Sequence, residues 1–375
     1  MDDLTQSKRL LVVLPSWIGD AVMATPALRR IRTALPGWFI GGVCRPGVDQ
    51  VLAGLETLDE IHVAPMTGVL GPKRVAAQLR PRRYAAALLL TNSFSTALAT
   101  RVAGIPMRLG YERDGRGLLL THRLHAPRRE GGDWAIVPAA AYYDHAARAM
   151  LDVLTGNVVD ARRSIEPLPD HARLELIVQV REREQADAVL ASAGIKPKAR
   201  FAVLNPGGNN PAKRWPSARY GALADWLLER HGIVSVVNAS PAERELAVAV
   251  DGAARCNVVC LADHGGSLAA LKGVLAQAAL MVTNDTGPRH IAAALGTPVV
   301  SLFGPTDHRW TTIPAPSGEA VLVADPSLPE SASANDDPER NRIDRIELDR
   351  VQAAIDGLLN SRPAVAEEGG LASGR

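Results

Sequence analysis

Short apolar runs recur along the chain, each followed by a polar turn and then by a stretch whose apolar positions repeat at helical spacing. Arg9 to Leu14 (RLLVVL) is nearly unbroken in its apolar character, which reads as a strand covered on both faces. Pro15-Ser16-Trp17-Ile18-Gly19-Asp20 follows. A helix from Ala21 to Leu35 then puts Val22, Pro26, Leu28 and Ile31 near one face. Phe39 to Val43 and Ile61 to Val63 read as the next strands, Val75 to Leu79 lies on a helix, and Tyr84 to Leu90 (YAAALLL) is a fourth strand. Thr91-Asn92-Ser93 caps a helix running to Val102, and Met107 to Tyr111 is another short strand. This alternation predicts an α/β fold with a parallel sheet and helices on both faces.

The pattern lapses from Arg113 to Glu130, rich in Arg, Gly and His, which reads largely as loop, and resumes in a long helix from Pro138 to Leu154. Asp160 to Asp170 mixes charges of both signs with Pro167 and Pro169, the composition of an interdomain connection. The second half repeats the style of the first. A helix from Arg181 to Ala193 ends at Gly194, Phe201 to Leu204 is a strand, and Asn205 to Pro216 (NPGGNNPAKRWP) is a long polar loop. Ser217 to Arg230 is a helix, Ile233 to Val237 a strand, Pro241 to Val250 a helix capped by Ser240, and Val258 to Leu261 a strand. Ser267 caps a helix to Gln277. Ala278 to Val282 is a strand, Ile291 to Leu295 a tightly packed helix ended by Gly296, and Pro298 to Phe303 the next strand. Asp307 to Arg342 reads as extended surface loop, Ile343 to Leu359 as a closing helix, and Ser361 to Arg375 as a disordered tail.

Length adds domain count. At 375 residues the chain is too long for one typical domain and suggests about two. The division expected is an N-terminal domain at 1–165, a linker at 166–180, a C-terminal domain at 181–345, the closing helix at 346–360 and the tail at 361–375. With 42 Lys and Arg against 40 Asp and Glu, the net charge of +2 gives no case for nucleic-acid binding. Cys44, Cys256 and Cys260 form no CxxC and read as reduced core thiols, which fits a cytoplasmic location. The opening MDDLTQSKRL lacks the apolar core of a signal peptide. No stretch approaches the ~20 apolar residues of a membrane span, so any membrane contact would be peripheral.

The candidate chemistry sits in polar turns that follow strands, where open parallel sheets bind ligands. In Thr283-Asn284-Asp285-Thr286-Gly287, Asp285 or Thr286 can cap the helix, while Thr286 and Gly287 leave backbone N–H groups free to face an anion. Asp285 and His290 could bond sugar hydroxyls. On this turn alone, an ordinary capped helix fits as well. In Asn205–Pro216, the pair Gly207-Gly208 lets backbone approach a ligand, and Lys213 with Arg214 supplies positive charge suited to phosphate. Read singly, a basic loop is only a solvated loop. Opposite Thr286 and Gly287 it becomes half of a diphosphate clamp. Neither turn is a Walker A loop or a GxGxxG fingerprint. Asp20, after the first strand, is either a helix cap or a base that takes a proton from an attacking hydroxyl. Trp17, Trp215 and Trp310 either stack on a ligand or pack at interdomain surfaces. No metal-ligating cluster is expected.

Together, PSWIGD, NPGGNNPAKRWP and TNDTGPRHIAAALGTPVVSLFGP, in that order and spacing, resemble the ADP-heptose:lipopolysaccharide heptosyltransferases of glycosyltransferase family nine, most of all the heptosyltransferase II branch. The resemblance spans Leu10 to Leu359. It implies a GT-B fold, two Rossmann-like domains with the active site between them. It also implies inverting, metal-independent transfer of heptose from ADP-L-glycero-D-manno-heptose to the lipopolysaccharide inner core, with no cofactor. Carried over by position, Asp20 would be the catalytic base and Lys213, with Arg214, would bind the diphosphate. Asp285, Thr286, Gly287 and His290, beside Gly207, would hold the donor. A glutamate near the ribose would be Glu243 or Glu245, and Asn92 and Ser93 would line the acceptor side. Arg289 adds a charge where many relatives are apolar. The competing readings are a related nucleotide-sugar transferase with another donor or acceptor, a GT-B-fold epimerase that needs no acceptor, and a binding module, against which Asp20 argues.

Overall fold

The computed structural model describes residues 8–65 and 68–361. The first seven residues and all of the expected tail but Ser361 lie outside the described residues.

Two six-stranded sheets organise the protein, and every pairing within them is parallel. The first half runs β1 (Arg9–Val13), α1 (Ile18–Met23), α2 (Thr25–Ala34), β2 (Phe39–Cys44), α3 (Val48–Leu52), β3 (Glu60–Val63), α4 (Gly71–Leu79), β4 (Ala86–Leu89), α5 (Phe94–Val102), β5 (Met107–Tyr111), β6 (His122–Leu124) and α6 (Ala139–Leu154). The second runs α7 (Val180–Ser192), β7 (Phe201–Asn205), α8 (Ser217–His231), β8 (Val234–Val237), α9 (Arg244–Asp251), β9 (Val259–Cys260), α10 (Leu268–Gln277), β10 (Leu280–Asn284), α11 (Gly287–Ala294), β11 (Val299–Phe303), β12 (Glu319–Val323) and α12 (Leu348–Asn360). Between α6 and α7, residues 155–179 hold neither helix nor strand.

The sheet orders are β3-β2-β1-β4-β5-β6 and β12-β11-β10-β7-β8-β9. They are the same doubly wound order written twice, with the direction in which successive strands are added reversing between β1 and β4 in one and β7 and β10 in the other. Ligands bind outside the carboxyl ends of strands at such switch points. The central strands are mostly apolar because helices cover both faces, and β7 and β10 turn polar only at their carboxyl ends, with Asn205, Thr283 and Asn284. Leu11, Val13 and Leu89 pack under α4 and α5, whereas Leu10, Val12 and Leu88 join a core that continues into the second half through Val203, Val274 and Ile291. The other face of the second sheet is closed by α8, α9 and α12.

Three expectations are corrected. The helix read from Ala21 to Leu35 is two helices, because Pro26 has no N–H to continue the first and instead occupies the first turn of the second. The loop read over 113–130 contains β6, a three-residue edge strand with one buried position. The surface loop read over 307–342 contains β12, the outermost strand of the second sheet. Both strands lie at sheet edges, where half-exposed short segments carry little periodic signal.

Candidate active site

Four turns leave the switch points. Pro15–Trp17 follows β1, Thr91–Ser93 follows β4, Pro206–Pro216 follows β7, and Asp285–Thr286 follows β10. Between them lies a cavity of about 580 Å³, lined on one side by Gly19 and Asp20 and on the other by Gly207, Lys213, Glu243, Asp285, Thr286, Gly287 and His290. Its lining also has an apolar part, with Leu261, Leu268, Leu271 and Val274.

The halves meet here through glycines. A Cβ on Gly19 would stand 2.7 Å from His290 Nδ1 and 3.4 Å from Gly287 Cα. Only bare backbone lets α1 and α11 come this close, and it brings Asp20 up to the N-terminus of α11.

Asn284 builds the second-half side. Fully buried, its Nδ2 donates to the carbonyls of Pro206 (2.8 Å) and Gly207 (3.0 Å), while its Oδ1 accepts from Trp215 N–H (3.2 Å) and the Tyr220 hydroxyl (3.1 Å). This clamps the β7 loop onto the β10 turn. Asn205 Nδ2 adds a bond to Thr286 Oγ1 at 3.0 Å. Lys213 Nζ donates to Asp285 Oδ2 at 3.1 Å, which sets the ammonium over the start of α11. Burial pushes the Asp285 carboxyl up, but the Lys213 and Arg289 charges more than offset this, and it is held below the usual range. Burial, with the Arg289 charge adding, holds His290 far below its ordinary value, so the ring is neutral. Arg289 is itself fixed by Glu319 (2.6 Å) and by the Thr311 carbonyl (2.9 Å).

Asp20 lies in the first turn of α1, where its Oδ1 accepts a hydrogen bond from the buried Tyr143 hydroxyl at 2.9 Å. Burial raises its pKa, the Asp285 charge adds to this, and Tyr143 opposes it. Asp20 also lines a second cavity of about 220 Å³ with Asn92, Arg113, Trp134, Tyr142, Tyr143 and Trp310. One carboxylate thus faces two chambers. Trp134 is held between two guanidiniums, with Arg113 at 4.0 Å and Arg128 at 3.9 Å from the ring.

Most residues picked from the sequence gather here, and some do not. Glu243, rather than Glu245, lines the cavity, with Oε1 accepting the Gly208 N–H at 2.8 Å and Oε2 the Ser240 hydroxyl at 2.6 Å. Arg214 is turned onto the Gly208 carbonyl (2.9 and 2.7 Å) and braces the loop. Ser93 starts α5 and bonds Ser95 at 2.6 Å, whereas its neighbour Asn92 reaches the second cavity. Trp215 neither stacks on a ligand nor packs between domains. It is buried in the second half's core, and its Nε1 donates to the Ile346 carbonyl. Cys44 is buried, while Cys256 and Cys260 are only half-buried. Sequence reasoning missed Asn284 as the clamp, Tyr143 as the partner of Asp20, and the Arg113–Trp134 wall. Only the polar character of NDTG hinted at the first.

Two Rossmann-like sheets that share a cleft at their switch points define the GT-B fold. The family model described as glycosyltransferase family 9 (heptosyltransferase) matches residues 73–337, and the chain belongs to that family. The chain is 30% identical over 323 residues to lipopolysaccharide heptosyltransferase 2 of Salmonella typhimurium, covering 81% of this chain and 84% of that protein. It is 26% identical over 322 residues to lipooligosaccharide heptosyltransferase 2 of Haemophilus influenzae, covering 84% and 88%. The solved structure of the E. coli ADP-heptose lps heptosyltransferase II superposes with a TM-score of 0.75 at 23% identity, covering 94% of this chain and 98% of that one.

Proposed function

We propose that the protein transfers L-glycero-D-manno-heptose from ADP-heptose to the inner core of lipopolysaccharide, with inversion at the sugar carbon and without a metal ion. One observation carries this beyond family membership: Asp20 stands where the 580 Å³ cavity meets the 220 Å³ cavity. A transferase needs a base between a donor and an acceptor chamber, whereas an epimerase, working on one bound nucleotide sugar, has no use for the second.

The donor fits the larger cavity in one direction. Leu261, Leu268 and Leu271 suit the adenine ring, and Glu243, with free lone pairs on a carboxylate fixed by Gly208 and Ser240, suits the ribose hydroxyls. Lys213 and the N–H groups at Thr286 and Gly287 receive the diphosphate at the positive end of α11. Asp285 and the neutral His290 hold the heptose. In the second cavity Asn92 contacts the acceptor. The acceptor hydroxyl gives its proton to the Asp20 carboxylate as its oxygen attacks the sugar carbon from the side opposite ADP. The carbon–oxygen bond to the diphosphate breaks, and the charge growing on the β-phosphate is stabilised by Lys213 and the helix N-terminus. The domain division at 166–180 and a cytoplasmic site of action belong to the same reading.

The test is ADP release from ADP-heptose with and without a deacylated, Kdo-containing core that carries one heptose, in excess EDTA, with the product's anomeric configuration read by NMR. Acceptor-dependent release that survives EDTA and gives an inverted linkage is expected. Release abolished by EDTA, or a retained linkage, would overturn the mechanism.

A further inference from the structure

From Ile61 to Tyr111 the chain has seven Lys and Arg and no Asp or Glu, while the other 324 residues carry 35 Lys and Arg against 40 Asp and Glu. The near-neutral whole therefore hides a cationic segment, in which Arg82 is paired with Glu60 just outside it. It folds into β3, α4, β4, α5 and β5, and its two helices pack together on the first sheet's outer face. Val75, Leu79, Ala97 and Ala99 point inward. Lys73, Arg74 and Arg101 point outward and are exposed. Arg80 donates to the Val102 carbonyl (3.0 Å) and Arg101 to the Leu118 carbonyl (3.1 Å), which joins α4, α5 and the turn at 116–119 into one surface.

The same surface exposes apolar side chains. Val69 is 98% exposed, Leu70 56% and Phe94 48%. All three sit in or next to the connections that leave β3 and β4. In a parallel sheet these emerge at the carboxyl edge, the edge that carries Asp20. Large apolar side chains beside unopposed cations are the composition of an interface with anionic lipid, where cations meet headgroups and apolar tips enter the acyl boundary. Among the described residues no helix is long and apolar enough to cross a membrane, so contact of this kind is surface docking.

We propose that the α4–α5 face docks on an anionic lipid bilayer, with Lys73, Arg74 and Arg101 over the headgroups and Val69, Leu70 and Phe94 at the acyl boundary. Docked this way, the chamber holding Asn92 opens beside the membrane, where a lipid-borne acceptor is presented. The inference goes beyond the reaction, since docking needs neither donor nor acceptor.

The experiment is flotation of the purified full chain with vesicles of phosphatidylcholine, with or without about one-third phosphatidylglycerol, at low and high salt. The wild type should float only with the anionic vesicles and lose binding in salt. K73E/R74E should lower the bound-to-free ratio by roughly 30-fold or more, from about fivefold per cation near an anionic surface. V69S/L70S should weaken binding to the anionic vesicles at low salt, and K196E/K198E, on the other half, should bind as wild type. Turnover of a soluble acceptor by K73E/R74E should be unchanged, which excludes misfolding and tests the transferase reading separately. Flotation independent of anionic lipid, undiminished flotation of K73E/R74E, or equal loss in K196E/K198E would overturn the proposal.

Discussion

Replacing Tyr143 by phenylalanine should move the acidic limb of the rate profile to higher pH. The Asp20 carboxyl is raised above its ordinary value first by burial and then by the Asp285 charge, and the Tyr143 hydroxyl at 2.9 Å opposes both. Tyr143 is a reliable donor, because burial and the Asp20 charge hold its phenol protonated far above the usual range. A hydrogen bond to a charged group contributes about 1.5–3 kcal/mol, and one pH unit corresponds to about 1.4 kcal/mol. Losing the Tyr143 hydroxyl would therefore raise the Asp20 pKa by about 1–2 units. A base works ionised, so activity is present above the folded pKa and lost as pH falls through it. Raising that pKa carries the limb upward, while the plateau rate stays near wild type. The assay is kcat/KM for ADP release across pH in wild type and Tyr143→Phe, with donor affinity as a folding control. A limb that stays in place, or moves to lower pH, would refute the assignment of Asp20 as the base.

Other residues separate in the same way. Lys213→Ala should cut turnover roughly 100- to 1000-fold, the usual cost of losing one preorganised charge contact at a developing anion, and Arg214→Ala, which loses only a brace on the Gly208 carbonyl, should cost much less; equal losses in steady-state kinetics would contradict the geometry. Gly207→Ala puts a Cβ 2.6 Å from Glu243 Oε1, so the donor KM should rise about tenfold, the worth of one charge-assisted hydrogen bond, with kcat little changed. Lys272 is fully buried, with Nζ donating to Glu182 (2.9 Å) and, across the halves, to the Ala53 carbonyl (3.2 Å). Lys272→Met strands a buried carboxylate and should cost about 3–5 kcal/mol in urea unfolding, with partial recovery in K272M/E182Q; an unchanged midpoint would show that the pair contributes nothing.

Much of this was legible in the sequence because central parallel strands are largely apolar runs and their ends and turns are polar. RLLVV and LMVTN announce β1 and β10, and residues that line the cavity from such turns stand out as Asp20, Lys213 and Asp285 do. What stayed hidden was pairing over distance. Tyr143 is 123 residues from Asp20 and sits in a helix whose apolar face explains it without chemistry. Arg214 looks as available as Lys213 until the loop's curl turns it onto its own backbone. Trp215 looks like a ligand platform until Ile346, 131 residues away, accepts its indole N–H. The edge strands β6 and β12 were hidden for a different reason, since one covered side leaves too few apolar positions to form a period.

The most direct test of the central claim is a side-by-side measurement of turnover and donor affinity in wild type and Asp20→Asn, with ADP-heptose and the soluble core acceptor. Asparagine keeps the shape and removes the base. Turnover should fall roughly 100- to 10,000-fold, the usual contribution of a positioned general base, with the Kd for ADP-heptose within about threefold of wild type. Turnover near wild type would contradict the account, because the carboxylate between the two chambers would then have no part in the reaction.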